Sequence, residues 1–577
     1  MSYLNRRSKF RNKYTRPRGA KSDVREYPLM AGTFCAAGKS GANGYLVALD
    51  SKVRQTFPVA PKAAKKLGLA DGHRVMFKIN SDGQLNITEI FGHKDDPGMD
   101  VFGIIRQYGV PYIFSEQAQS EADALPLSVS EEECRGRTDL RDWDIITIDG
   151  SDTKDIDDAI SLEILPNGHF KLGVHIADVS YYVRPGSALD KNARARGTSI
   201  YLADRVIPML PQKLSNGICS LNPGVDRLTL SCIMEVGPAG DVINHEIFPS
   251  VIRSRKQYTY DEVAASGDVF WKPYFSLAEI LRKKRHLRGA LEFNFSEAKV
   301  AVDDRGHPVS IEARRSNIAT SLIEEFMIVC NETVAEQYED DPFVFRTHEE
   351  PDLDKMFQLS AYAHNLGHHL PVSEHKKSGA AGRSGAVSSK ALQTLVEKME
   401  PALEPAILRS LKQARYTAEN IGHFGLASEC YCHFTSPIRR YPDLLVHRGV
   451  KGGLKRRGLV ELCGHCSQTE RNAEALERDV LQLKKVQFMA DKIGEVFEGF
   501  VSGVVSWGIY IQLPNTVEGL VPIDFLIDDR YYFVEKQMAL FGAQKKKRIR
   551  MGDPFTVVLT KVNEEERWIN FAPHRPH

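Results

Sequence analysis

Between residues 29 and 92 apolar positions come in short bursts cut by glycine: Gly32-Thr33-Phe34, Gly44-Tyr45-Leu46-Val47-Ala48-Leu49 and Arg74-Val75-Met76-Phe77-Lys78-Ile79. Short strands spaced by turns predict a small β-barrel over 28–93. The rhythm is lost over 94–136, and Ser115–Asp142 holds eight acids against three bases, which predicts a solvated connector with room for a short helix. From 137 to 493 strand-like and long helical patterns mix, as in an α/β or α+β domain. Within it the glycine- and serine-rich stretch Ser378–Ser389 predicts a flexible loop. Ser467-Gln468-Thr469-Glu470 reads as the capping box of a helix carrying Ala473, Leu476, Val480, Leu483 and Val486, ending near Gly494. Over 494–577 Ile509, Ile511 and Leu513 alternate with Tyr510 and Gln512, and Gly499, Gly503, Gly508 and Gly519 punctuate the strands. A second small barrel follows, with Lys545-Lys546-Lys547-Arg548 and Arg550 on a loop.

Residues 1–27 have few large apolar side chains and cannot bury enough surface to offset ordering entropy, so they predict a disordered basic arm. Residues 1–26 carry nine Lys/Arg against Asp23 and Glu26, a local +7 that the overall +1 conceals. Affinity for a polyanion is therefore local, and the arm is either a solubilising tail or a nucleic-acid arm. At 577 residues the chain is long enough for several domains, and 42% hydrophobic with 26% charged residues excludes collagen-like, wholly disordered and membrane-embedded classes. No run approaches the ~18 apolar residues of a spanning helix, and the polar, basic start is not a secretory signal. A cytoplasmic protein is expected. Nine cysteines scattered from Cys35 to Cys466 make no disulfide framework, and reduced thiols are expected.

The densest chemistry lies in Thr147-Ile148-Asp149-Gly150-Ser151-Asp152-Thr153-Lys154-Asp155-Ile156-Asp157-Asp158-Ala159-Ile160. Aspartate suits neither helix nor strand, so this is a strand end and turn, and so many carboxylates repel unless a cation neutralises them. Hard oxygen ligands suit Mg²⁺, which keeps waters and takes other contacts from phosphate. A calcium loop and a plain solvated acidic turn are the alternatives, although the EF-hand order of ligands is missing. In the segment His433–Arg448, Arg439 and Arg440 sit beside a helix start, a ready phosphate site. In Thr198–Pro211, tyrosine and arginine share a proline-bounded loop where a ring can stack on a base. Cys463-Gly464-His465-Cys466, with Cys430, Cys432 and His433, is a weaker zinc candidate.

In this order the segments resemble the ribonuclease II / ribonuclease R family, whose catalytic part is the RNB domain. The resemblance runs from Arg137 to about Ile493 and includes Val174-His175-Ile176-Ala177-Asp178-Val179, Phe345-Arg346-Thr347-His348-Glu349 and Gly422-His423-Phe424-Gly425-Leu426-Ala427. It implies a multidomain α+β protein: an RNB catalytic domain over 137–493, flanked by an N-terminal cold-shock-type OB β-barrel at 28–93 and a C-terminal OB β-barrel of the ribosomal S-one type at 494–577. Only one N-terminal barrel fits the available length, where such proteins usually have two.

The implied activity is processive 3′-to-5′ hydrolysis of single-stranded RNA to nucleoside 5′-monophosphates with Mg²⁺, by a monomer that engages RNA 3′ ends and no membrane. By position, Asp149, Asp155, Asp157 and Asp158 match the family's four acids, with Asp149, Asp155 and Asp158 on metal and Asp157 on a second metal or the attacking water. Asp152 is extra. Arg439 matches the arginine that meets transition-state charge, while Arg440 either shares that role or pairs with a nearby acid. Tyr201 matches the tyrosine that orients the terminal nucleotide, and Tyr260 and Phe293 are candidates for the aromatic clamp. Ser321-Leu322-Ile323-Glu324 reads as a capping box, leaving Glu325, on a face with Leu322 and Val329, for the terminal ribose hydroxyls. The competing classes are a non-catalytic RNA-binding protein on the same scaffold and an enzyme that uses DNA.

Overall fold

The computed structural model describes residues 27–574 apart from 38–42, 51, 54, 81, 294–295, 366, 374–386 and 399–403. The basic arm of residues 1–26 and the expected flexible loop up to residue 386 lie outside the described residues. The chain divides into two compact units, residues 1–107 and 108–577.

In the first unit, strands β1 (Tyr27–Ala37), β2 (Asn43–Ala48), β3 (Thr56–Val59), β4 (His73–Ile79) and β5 (Leu85–His93) pair antiparallel in the order β3-β2-β1-β4-β5. Phe34, Leu46, Val75 and Phe77 are fully buried on its inner face, as alternation along a half-buried strand requires. The helix Met99–Gln107 then buries Val101, Ile104 and Ile105. The stretch expected as a solvated connector is thus more structured. Helices Glu116–Ala124 and Glu131–Cys134 follow, capped by Ser115 and Ser130, and Ala118 and Ala122 enter the core of the second unit. Counting its acids hid the small apolar residues that dock the first of these helices.

The second unit is organised by a seven-stranded sheet. Its strands are β6 (Thr138–Asp139), β7 (Ile146–Asp149), β8 (Asp158–Ile164), β9 (Phe170–Ala177), β12 (Asp226–Val236), β13 (Val242–Arg253) and β14 (Lys256–Thr259), with a short hairpin β10 (Ile200–Tyr201) and β11 (Val206–Ile207) outside it. The order is β14-β7-β8-β9-β12-β13-β6, with β14–β7 and β13–β6 parallel. Ile146, Ile148, Ile160, Leu172, Val174, Ile176 and Leu230 are buried in one core, which suits strands covered on both faces. Helices Lys272–Arg288 and Ile318–Gln337 pack over it.

Both expected capping boxes in this unit are corrected. The helix Ile318–Gln337 is capped by Asn317, whose side chain accepts the Ala319 and Thr320 amides, so Ser321 lies inside the first turn. The long helix runs Leu459–Ala490 from Gly458, because buried Leu459, Cys463 and Cys466 extend its apolar stripe upstream. Ser467 is interior, donating to the Cys463 carbonyl at 3.0 Å and accepting the Tyr416 amide at 2.9 Å. At the C-terminus, Val496–Val505, Gly508–Gln512, Glu518–Pro522, Trp568–Pro573 and Pro554–Asn563 close a barrel. Among the described residues no helix is long and apolar enough to cross a membrane.

Asp178, just past β9, joins three parts of this unit. It is 1% exposed, and its carboxylate accepts Arg137 Nη2 at 2.7 Å and Lys451 Nζ at 2.6 Å. Burial alone would push its carboxyl up, but Lys451 and Arg137 hold it down to about 2. Removing the charge strands the buried Arg137 guanidinium and leaves the partly exposed Lys451 without its carboxylate. Asp178→Asn is expected to cost about 3–5 kcal/mol at neutral pH in urea unfolding. With the native side chain that stabilisation persists until pH falls below the ordinary carboxylate range towards about 2.

Candidate active site

The four aspartates are placed by adjacent strands. β7 ends at Asp149 and β8 begins at Asp158, so the chain leaves the sheet and returns to it across residues 150–157. Ile156 plugs the loop into the core at 0% exposure. Its amide donates to Ser220 Oγ at 3.1 Å, its carbonyl accepts the Leu221 amide at 3.0 Å, and the Asp157 carbonyl accepts the Ala177 amide at 2.9 Å. The backbone that carries Asp157 and Asp158 is therefore fixed on both sides. Asp152 is exposed.

The segment before the helix Tyr441–Val450 meets them. The Ile438 amide donates to Asp157 Oδ1 at 2.7 Å, and Arg439 Nε lies 3.7 Å from Asp157 Oδ2. The Arg439 carbonyl accepts the Ser199 amide at 2.8 Å and Thr198 Oγ1 at 3.0 Å, while its guanidinium reaches Ser436 Oγ at 3.0 Å. Gly197 makes this junction possible. It has φ +73°, a Cβ there would stand 2.0 Å from Thr469 Oγ1, and its carbonyl accepts the Tyr441 amide. The Arg440 guanidinium instead donates to buried Asp443 Oδ1 at 2.7 Å, the same oxygen that accepts the Ser436 amide. Arg440 holds the turn that presents Arg439.

Tyr201 donates its hydroxyl to Asp155 Oδ2 at 2.6 Å, and its amide donates to Glu477 Oε1 at 2.8 Å. Tyr260 follows Thr259, which is in register with Asp149 across the parallel β14–β7 pair. Asp149, Asp155, Tyr201 and Tyr260 line one cavity of about 1020 Å³ with Arg205, Lys299, Arg314 and Arg315.

Two expected residues stand apart. Glu325 is 3% exposed and is held by Arg285, with Nη2 to Oε1 at 2.6 Å. It is absent from the wall of this cavity, and its partner is this cation on a neighbouring helix. Phe293 is partly buried against a core cluster containing Leu291, Ile311 and Leu392. Glu477 and the cationic wall were missed. Glu477 lies midway along a long polar helix face, and Lys299 and Arg314 sit on a hairpin whose opposing register positions are Glu312 and Glu297, an ordinary solvated pattern. Among the described residues the zinc candidate does not assemble, since Cys463 and Cys466 are buried in the main hydrophobic core.

The electrostatics of the corner are unfavourable without a cation. Burial pushes the Asp149 carboxyl up to about 8, helped by Asp158 and Asp155 and opposed by Arg439. Burial also raises Asp158 to about 6 against the pull of Arg439 and Arg440, and raises Asp157 well above the carboxylate range despite Arg439 and the Ile438 amide. Asp149 Oδ2 and Asp157 Oδ2 are buried with no hydrogen-bond donor. Among the described residues no three acids, histidines or cysteines cage an ion by themselves. Orphaned carboxylate oxygens without a closed cage fit a hard cation that keeps water and takes phosphate.

A family model described as the RNB domain matches residues 137–456, one described as the S1 RNA binding domain matches 490–572, and a cold shock domain matches 45–115. Ribonuclease R of Thermotoga maritima is 42% identical over 92% of this chain and 79% of its own length. Ribonuclease R of Escherichia coli is 37% identical over 84% of this chain and 63% of its own. Among solved structures, Mycoplasma genitalium RNase R in complex with ribose methylated single-stranded RNA superposes with a TM-score of 0.84 at 27% identity, covering 95% of this chain and 89% of that one. Yeast Ssd1, described as a pseudonuclease, shares the fold at 18% identity and a TM-score of 0.70.

Groups whose folded pKa is raised stabilise the fold while protonated and lose that contribution as pH climbs through the folded value. In EDTA the protein is therefore expected to lose on the order of 2 kcal/mol or more as pH rises from about 5 to about 8. Urea unfolding at a series of pH values measures this, and Asp149→Asn should flatten the loss. Stability that rises over this window would contradict the raised carboxyls.

Proposed function

The chain belongs to the RNB-domain family of 3′-to-5′ exoribonucleases, and on that premise we propose that it hydrolyses single-stranded RNA processively to nucleoside 5′-monophosphates, with Mg²⁺ at the aspartate corner. The observation that carries this is the juncture of Asp157 with the Ile438 amide, which sets the Arg439 fork against Asp157 and within electrostatic reach of Asp149 and Asp158. Asp149, Asp155, Asp157 and Asp158 would hold the metal, which when bound polarises a phosphate and makes a bound water acidic.

The protein's own side chains do the rest. The Tyr201 and Tyr260 rings, at the cavity wall, offer faces for the terminal bases. The Tyr201 hydroxyl, committed to Asp155, keeps its ring from swinging away. Arg439 has its carbonyl tied to Thr198 and Ser199, so its half-exposed guanidinium can follow the phosphate while its backbone stays still. A planar fork facing the non-bridging oxygens stabilises the charge that builds there. Lys299, Arg314 and Arg315 on the same wall supply positive potential for the phosphates upstream.

The test is digestion of a 5′-labelled single-stranded RNA with Mg²⁺ or EDTA. Shortening from the 3′ end with mononucleotide release is expected with Mg²⁺ alone. Asp157→Asn and Arg439→Lys should each slow it by about 100-fold or more, with RNA binding in EDTA retained. Internal cuts, or full activity in EDTA, would overturn the reading.

A further inference from the structure

The hairpin β10–β11 forms part of the cavity wall through Tyr201, Arg205, Val206 and Pro208. Its own ladder is minimal, pairing only Ile200 with Ile207 and Tyr201 with Val206, and so short a hairpin does not hold a ring in place unaided. The stem supplies the stiffness. Where the chain enters, Thr198 and Ser199 are tied to the Arg439 carbonyl. Where it leaves, the Met209 amide donates to Ser199 Oγ at 2.8 Å, and the Pro208 carbonyl accepts Arg196 Nη1 at 3.1 Å.

Arg196 is an unusual buried cation. Arg285 and Arg448 are as deeply buried, and each meets a carboxylate. Arg196 is 4% exposed, yet among the described residues no carboxylate stands within ion-pair distance, and its Nε and Nη2 are buried with no acceptor. Burial lowers its guanidinium to about 10. A charge so placed weakens the fold unless another group offsets it. What covers it is a ring: Cζ lies 3.8 Å from the centre of Phe114, a cation–π contact in a dry place. Phe114 belongs to the segment Tyr108–Ser115, which is fastened at both ends. The Tyr108 hydroxyl donates to Asp479 Oδ2 at 3.0 Å, and its carbonyl accepts Asn472 Nδ2 at 3.2 Å. Ser115 exchanges two hydrogen bonds with Asn192, at 3.2 and 2.9 Å. Asn192 lies one turn before Arg196 on the helix Ala188–Arg196, so segment and guanidinium share one helix face.

We propose that Arg196 is a positioning residue for RNA hydrolysis: clamped between the Phe114 ring and the Pro208 carbonyl, it fixes the β10–β11 hairpin so that Tyr201 stays at the cavity wall beside Asp155. A guanidinium suits this task because its flat face stacks on a ring while an N–H on its edge donates in the plane. Lysine has the charge without the plane, and methionine has neither charge nor donor. The inference rests on the RNA-degrading reading of Tyr201 and adds to it the groups, remote from the aspartates, that keep this ring in place.

Two measurements on the full chain test this. The first needs no RNA. Arg205 is exposed on the hairpin, and trypsin cleavage after it, followed by mass spectrometry of the native protein, reads how often the hairpin opens. Arg196→Met is expected to quicken that cut about tenfold and leave cuts elsewhere unchanged. The second is the single-turnover rate of RNA shortening at saturating RNA with Mg²⁺. Arg196→Met should slow it about tenfold, with Arg196→Lys restoring part of the rate. In a Tyr201→Ala background the same substitution should change the rate by less than about twofold, because the group it positions is already gone. Phe114→Leu, which keeps apolar bulk and removes the ring face, carries both comparisons if Arg196→Met does not fold. An unchanged cut at Arg205 would overturn the proposal. So would an equal slowing with and without Tyr201, since Arg196 would then act on something else. A wild-type protein that fails to shorten RNA sinks the enzymatic reading alone, because the trypsin cut still reads the clamp.

Discussion

A single hydrogen bond from the Ile438 amide to buried Asp157, 2.7 Å long, joins two parts of the chain 281 residues apart. On one side is a loop whose shape follows from strands β7 and β8 and the plug of Ile156. On the other is a turn whose shape follows from Asp443, Arg440 and Gly197. Neither half makes a site alone. With the bond in place, a guanidinium stands against a cluster of carboxylates, and Tyr201 joins them through Asp155.

The same closeness sets the opposing force. Burial raises Asp149, Asp157 and Asp158, repulsion from neighbouring carboxylates adds to it for Asp149 and Asp157, and Arg439 offsets only part of it. Structural ion clusters look different. Asp178 is as deeply buried, but two cations hold it low. The aspartate corner is short of positive charge where Asp178 has enough. Such a site gives up stability that a bound cation restores, a common trade where function needs unmatched charge.

Much of this was legible in the residues. Five aspartates within ten positions, on the edge of strand patterns, located the corner, and prolines beside Arg439 and Arg440 located the turn. What was not legible depended on distant partners. Glu325 looked like a carboxylate in need of a ligand because its neutralising Arg285 lies 40 positions away. Ser467 and Ser321 carry the letters of a capping box, but apolar residues ahead of them extend the helical stripe, and burial outweighs a local cap. The Phe114 ring that covers Arg196 comes from a stretch whose composition predicts a solvated connector.

The direct test of the central electrostatic claim is calorimetric titration of Mg²⁺ into the cation-free protein at pH ~7, in buffers of differing ionisation enthalpy. If the carboxylates hold protons until a cation arrives, binding releases about one proton per protein, and Asp149→Asn diminishes that release. Heats independent of the buffer, with Mg²⁺ bound and no proton released, would contradict a corner whose acids stay protonated for want of positive charge.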